Sequence, residues 1–328
     1  MYTAKTDRYE TMAYRRCGCS GIKLSEISLG LGSNFDRRAS EQNAREMMCT
    51  AFDSGITNFD IANCYGTPAG SAEETFGRIL STDFAPYRNE IMVSTKAGYG
   101  MWPGPYGQGG SRKYLVSSCD GSLKRTGLDY FDIFYHHCPD PDTPLEETMM
   151  ALDYIVRSGR ALYIGISSYL PETAEKVFEI LRSLGTPCLV HQPSYSMLGR
   201  WIENGLIDLC EKNGVGIIGF SPLAGGRLSG KFLQDIPAEI TQVSPEAEAR
   251  GITPKLLTAM RGLQEIAANR GQTLEQMAIS WVLRQKGVAS ALTSASRPQQ
   301  IIESCKAVNG AGFADEELAA IDDVLIGV

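Results

Sequence analysis

The chain has 328 residues, 43% of them hydrophobic, a formal net charge of −7 and a pI near 5.2. That length fits one large α/β barrel or two ordinary domains. The acidic balance argues against a nucleic-acid backbone or an anionic membrane as a partner. No apolar run approaches the ~18 residues that a spanning helix needs, and the polar N-terminus does not read as a signal peptide. The cysteines are odd in number and scattered. Cys17-Gly18-Cys19 lacks the spacing of a zinc knuckle, no second pair follows it, and no metal site is expected. All the cysteines are therefore read as reduced, which points to the cytoplasm.

The elements follow in chain order. Residues 1–20 are polar and rich in Tyr and Arg, and end in the turn signal Cys19-Ser20-Gly21; a short covering hairpin is expected there. Ile27–Leu31 reads as a buried strand. Ser40 is an N-cap for a helix over Glu41–Ser54 that stops at Gly55. The same unit then recurs. Strands are expected at Ile56–Asp60, Ile91–Thr95, Phe131–His136, Leu162–Ile166, Leu189–His191 and Gly216–Phe220. The intervening helices span Ser71–Leu80, Ser111–Thr126, Pro144–Ser158, Pro171–Leu184 and Gly205–Asn213. Glycines close several of them, and Pro171 takes the favoured first-turn position.

After the seventh strand the rhythm breaks. Ser221 to about Pro254 is rich in Gly and Pro and too long for an ordinary connection, which marks it as functional or mobile. Helices resume at Pro254–Asn269 and Thr273–Lys286. An eighth strand at Ala289–Thr293 and helices at Pro298–Val308 and Ala314–Leu325 complete the chain. Eight short apolar strands, each followed by a helix, argue for a parallel sheet buried on both faces. The expected fold is a (β/α)₈ TIM barrel with an N-terminal β-hairpin and a long loop after strand seven, with residues 1–328 as a single domain. An open doubly wound sheet is the weaker alternative, because no Gly-x-Gly-x-x-Gly stands at a first strand–helix turn.

In such a barrel, residues just past the strand ends share one rim, where the chemistry sits. Asp60 ends the second strand, with Tyr65 just beyond it. Lys96 ends the third, His136 and His137 the fourth, Ser167 and Ser168 the fifth, and Gln192 the sixth. A lysine after the apolar run Ile91–Thr95 is costly to bury alone, and Asp60 on the neighbouring strand is its natural partner. The ammonium then favours the tyrosinate of Tyr65 and lowers its pKa, while His137 orients a carbonyl oxygen. That set is a general acid aimed at a developing alkoxide, suited to carbonyl reduction by hydride from a nicotinamide. A Schiff base on Lys96 fits less well, because an Asp-paired lysine stays protonated. His136 and His191 read as packing residues.

Asp60, Tyr65, Lys96 and His137, at these spacings, resemble the catalytic tetrad of the aldo-keto reductase family. The likeness extends through Gly165–Ser168, Val190–Tyr195, Ser221–Gly226, Ser229–Lys231 and Ala295–Arg297. Within the family, Met101–Gly107 and Gly109–Tyr114 resemble a bacterial branch that reduces L-glyceraldehyde 3-phosphate and methylglyoxal, and that is related to β subunits of potassium channels. The resemblance implies NADPH bound without a Rossmann unit. Ser167, Ser168 and Gln192 would hold the carboxamide and Phe220 would stack on the nicotinamide. Ser221, Pro222, Leu223, Ala224 and Gly225 would wrap the pyrophosphate. Lys231 would approach the 2′-phosphate, and Ser294, Ala295, Ser296, Gln300, Glu303 and Ser304 would line the adenosine end. Tyr65, Trp102 and His137 would face the substrate.

Three positions depart from the branch. Gly32, beside the cofactor, replaces a Trp of the substrate pocket; Ser304 replaces an Asn near the adenine; Thr241 replaces an Arg near the 2′-phosphate. The last two leave NADH open as a cofactor. The resemblance further implies a homo-oligomer acting on a small aldehyde. A regulatory, channel-subunit-like protein with little turnover is the alternative, and all four tetrad residues being present favours the enzyme.

Overall fold

The computed structural model describes residues 2–234, 242–310 and 312–328. Strands β1 (Tyr14–Arg16) and β2 (Lys23–Ser25) form an antiparallel hairpin. The following eight strands are β3 (Ile27–Gly30), β4 (Asn58–Asp60), β5 (Met92–Ala97), β6 (Phe131–His136), β7 (Ala161–Ser167), β8 (Val190–Gln192), β9 (Gly216–Phe220) and β10 (Val288–Thr293). They close into a parallel barrel in sequence order, with β10 returning to β3. Helices α1 (Glu41–Asp53), α2 (Ser71–Ile79), α3 (Arg112–Thr126), α4 (Leu145–Arg157), α5 (Pro171–Ser183) and α6 (Leu206–Asn213) alternate with the strands. Four more, α7 (Pro245–Ala249), α8 (Pro254–Asn269), α9 (Leu274–Leu283) and α10 (Pro298–Cys305), flank the last strand, and α11 (Asp315–Val324) ends the described chain.

The barrel and its hairpin match the fold read from the sequence. Two caps are those expected: the Ser40 side chain accepts from Asn43 N, and Gly127 leaves α3 in the left-handed region at φ 70°; Ser111, expected as the first residue of α3, is instead its N-cap. One stretch differs. Helix α2 does not stop cleanly but runs into a π turn over Leu80–Phe84 and a 3₁₀ turn over Ala85–Glu90. Phe84 is thereby buried against Phe52 and Phe59, so packing of this aromatic side chain overrides a clean helix end. The stretch after β9 holds 3₁₀ turns at Ala224–Gly226 and Gly230–Leu233 before α7.

Two apolar clusters make the core. The larger lies between the barrel wall and the helices, and includes Phe59, Phe76, Phe134, Ile164 and Trp281. The smaller fills the barrel lumen with Ile133, Tyr135, Val190, Ile218 and Leu292, and takes in Cys17 and Leu24 from the hairpin. The hairpin is thus a plug in the floor of the barrel. Arg15 fastens it there: its guanidinium donates to Leu283 O (2.6 Å) and Val288 O (3.1 Å), and pairs with Glu26 at 2.5 Å. The other side of the lumen is polar. Ser28 Oγ meets Ser290 Oγ at 2.5 Å and receives Asn58 Nδ2 at 2.8 Å. With the floor closed, ligand access is from the opposite rim, at the strand C-terminal ends.

Candidate active site

Strand register brings the polar residues of the rim together. Asp60 pairs with Ser94 across β4 and β5, and Lys96 with Tyr135 across β5 and β6. The two-residue period of a strand then puts Ser94 and Lys96 on one face, toward Asp60. Asp60 Oδ1 accepts from Ser94 Oγ (2.6 Å) and Gln192 Nε2 (3.2 Å), while Oδ2 takes a hydrogen bond from Lys96. The ammonium also donates to Ile61 O at 2.9 Å. Both partners of this ion pair are buried, the lysine completely. Such a pair persists only where hydrogen bonds satisfy what the charges leave over, and here Ser94, Gln192 and Ile61 do so. Desolvation opposes the charge on Lys96, but Asp60 outweighs it and holds the lysine pKa above its usual value.

Tyr65 follows β4 by a short turn. The Lys96 ammonium lies 5.4 Å from its ring centroid. The lysine charge is the largest single influence on the phenol and pulls its pKa down, as expected. Burial and the Asp60 carboxylate together overcome it, so the phenol sits above its ordinary value. The net lowering read from the sequence is therefore reversed: proximity to Lys96 was legible, the cost of burial was not.

His137 is buried, with Nδ1 without a protein partner. Its ring lies between Tyr65 (5.8 Å, 71°) and Tyr99 (4.6 Å, 78°), edge to face with both. Burial first, then the Lys96 charge, push its pKa down to about 2, so the imidazole is neutral. His136 and His191 are fully buried behind the rim, each lowered by burial to about 4. They hold Tyr169 between them, His136 Nδ1 at 2.5 Å from its hydroxyl and His191 Nε2 at 3.1 Å from its carbonyl.

A cavity of about 390 Å³ opens above these groups. Its wall includes Gly32, Asp60, Tyr65, His137, Ser167, Ser168, Gln192, Phe220, Ser221, Pro222, Leu223, Gly225, Ser294 and Ser304. Ser167 Oγ and Ser168 N both bond Gln192 O, at 2.8 and 3.2 Å, which locks this polar corner. Among the described residues, the non-glycine residues in the left-handed backbone region are Ser168, Ser221 and Ala224, all on this rim. Each such conformation costs on the order of 1–3 kcal/mol and is held only by its surroundings. Strain concentrated around one cavity marks it as a functional site.

Other expected residues stand elsewhere. Lys96 lies beneath the wall, behind Asp60. Trp102 is off the wall, its ring 5.2 Å from that of Tyr114. Ala224, Lys231, Ala295, Ser296, Gln300 and Glu303 are likewise off the wall. Gln300 Oε1 accepts from Ser296 N at 2.7 Å, and Glu303 pairs with Lys306. Lys231 is ion-paired with Glu246 at 2.6 Å. Thr241 lies outside the described residues. Conversely Tyr99, Gly30, Gly226, Leu292 and Thr293 line the cavity and were not selected from the sequence. Tyr99 carried a usable signal, standing two residues past the end of β5.

Residues 26–326 match the aldo/keto reductase family. The chain belongs to this family. It is 52% identical to the L-glyceraldehyde 3-phosphate reductase of Escherichia coli K12 over 328 residues, 98% of this chain and 95% of that one. It is 33% identical to a probable voltage-gated potassium channel subunit beta of Oryza sativa subsp. japonica over 304 residues, 91% of this chain and 92% of that one. The corresponding Arabidopsis thaliana protein is 34% identical over a similar span. As an aldo/keto reductase the chain is an oxidoreductase of a class that works with a nicotinamide cofactor. The cavity fits such a group: Ser168 and Gln192 offer donors and acceptors for a carboxamide, and Phe220 offers a ring for stacking.

Proposed function

We propose that the chain reduces small aldehydes, of the L-glyceraldehyde 3-phosphate and methylglyoxal type, to alcohols, with Tyr65 as general acid and NADPH as cofactor. The observation that carries this is the buried Lys96–Asp60 pair close to Tyr65, with neutral His137 edge to face with the phenol. The cofactor, when bound, supplies the hydride. Tyr65 gives its proton to the carbonyl oxygen as that oxygen becomes an alkoxide. A phenol with a raised pKa is fully protonated at neutral pH, as a donor must be. Lys96 stabilises the tyrosinate left behind, and Asp60 keeps the lysine in place and charged. His137, uncharged, offers a ring nitrogen to the carbonyl oxygen and orients it.

Ser167, Ser168 and Gln192 hold the carboxamide in this reading, Phe220 stacks on the nicotinamide, and the loop Ser221–Gly225 runs along the pyrophosphate. Gly32, Ser294, Ala295, Ser296, Gln300, Glu303 and Ser304 flank the dinucleotide. Lys231 has to exchange Glu246 for a 2′-phosphate, so the cofactor preference is to be measured with NADPH and NADH in parallel. A channel-subunit-like role is less well supported, since the tetrad is intact. The test is steady-state turnover of both cofactors against an aldehyde panel. Absence of cofactor oxidation with every aldehyde rejects the proposal.

A further inference from the structure

The loop on one side of the cavity is held from outside by cations, and a single carboxylate stands between two of them. Gly225 and Gly226 line the cavity. Arg250 Nη1 donates to Gly225 O at 3.0 Å, and Arg227 Nε donates to Ala224 O, also at 3.0 Å. A Cβ on Gly226 would stand 3.1 Å from Arg250 Nη1, so this guanidinium lies directly against the wall. Glu246 joins it to Lys231. Its Oε1 accepts from the ammonium at 2.6 Å and lies 3.9 Å from Arg250 Nε. The second distance is an ion pair, too long for a hydrogen bond.

The local sequence builds this arrangement. Ser244 caps α7 and Pro245 takes its first position, which puts Glu246 in the first turn. Arg250 follows four residues later, and that spacing sets both side chains on one side of the turn. Ala247 is buried and anchors it. Lys231 stands on the 3₁₀ turn Gly230–Leu233, which Gly230 N ties down by donating to Glu275 Oε1 at 2.8 Å. Lys231 first, then Arg250, hold the Glu246 carboxyl below its ordinary range. All three side chains are exposed, so an exchange of partners among them costs little. Two different ligands are answered by this set. A ribose hydroxyl is neutral and donates to a carboxylate, whereas a phosphate is repelled by the carboxylate and held by the lysine and the arginine.

Resting on the reductase reading above, in which Lys231 faces the 2′-phosphate, we propose that Glu246 is a specificity-determining residue for the cofactor. It holds down the preference for NADPH over NADH, and Arg250 supplies the guanidinium that meets the 2′-phosphate once Glu246 gives way. The test is fluorescence titration of the full chain with NADPH and with NADH. Glu246→Gln should tighten NADPH about two- to fivefold, the scale of an exposed ion pair, and leave NADH unchanged or weaker. Arg250→Met should weaken NADPH relative to NADH by a similar factor. Added salt should shrink both effects. NADH enters the same cavity without the 2′-phosphate, so its titration is the folding control for each variant. A Glu246→Gln protein whose NADPH-to-NADH Kd ratio stays where it was overturns the proposal, whether both affinities move together or neither moves. So does an Arg250→Met protein in which the two dinucleotides weaken alike. Failure of the wild type to bind either dinucleotide rejects the reductase reading and this proposal with it, and is distinct because it shows before any substitution.

Discussion

Replacing Lys96 with Met tests the centre of the site. The methionine fills much the same space, but Asp60 loses the charge that compensates it. Ser94 and Gln192 still reach Oδ1, and Oδ2 is left with no partner in a fully buried setting. Removing one member of a buried pair costs about 3–5 kcal/mol. At roughly 2–4 °C per kcal/mol for a large domain, the melting temperature should fall by on the order of 10 °C. Asp60→Asn should cost a similar amount, because the buried Lys96 ammonium then loses its counter-charge. The double variant Asp60→Asn/Lys96→Met removes both charges and is expected to be no less stable than either single variant. Circular dichroism melts of the four proteins close the cycle. Additive losses, with the double variant falling by the sum of the singles, would refute the argument that desolvation of an unpaired charge dominates here.

Other outcomes follow from the same geometry. Tyr65→Phe should lower kcat by about 10²–10⁴-fold, the usual worth of general acid catalysis, while fluorescence titration shows cofactor affinity nearly unchanged; normal turnover would reject Tyr65 as the acid. His136, His137 and His191 have pKa values depressed by burial to about 4, 2 and 4. The unfolded chain therefore binds more protons below pH 6.5, and stability is complete above that pH and falls as the pH drops toward 4. At about 1.4 kcal/mol per unit for each group, urea unfolding should show a loss of about 4 kcal/mol between pH 7.5 and 5.5; equal stability at the two values would contradict it. Gly109 has φ 91°, and a Cβ there would stand 2.5 Å from Asp140 Oδ2. Gly109→Ala should loosen the loop that carries Tyr99 and Trp102 and raise KM more than it lowers kcat, a split visible in steady-state kinetics.

Much of this was legible before the structure. Parallel strands buried on both faces leave short apolar runs between helices, and those runs gave the barrel. Once strands are assigned, Asp60, Lys96 and His137 stand at their ends, so their meeting follows from topology alone. Tyr99 sits between Gly98 and Gly100 with no periodic pattern, and its meaning depends on a ring contact with another strand. The Lys231–Glu246 pair joins two points of an irregular stretch, where sequence distance gives no geometry. The sign of the Tyr65 shift needed a balance between a nearby cation and burial, and a sequence shows the cation but not the burial.

The plug formed by Cys17 and Leu24 constrains how the chain can be made. Its socket includes Ile218 and Leu292, and Arg15 grips carbonyls at 283 and 288. The first barrel strand likewise has no partner on one side until Ala291 and Thr293 arrive beside Ile27 and Leu29. At about 5–20 residues per second, roughly 13–54 s separate the synthesis of the hairpin from that of its seat. Through that interval the growing sheet has two open edges and an unfilled floor, the state in which strands pair with the wrong neighbour. The last fifth of the polypeptide is therefore what commits the first fifth, and a prematurely ended chain should accumulate as insoluble material rather than as a smaller barrel.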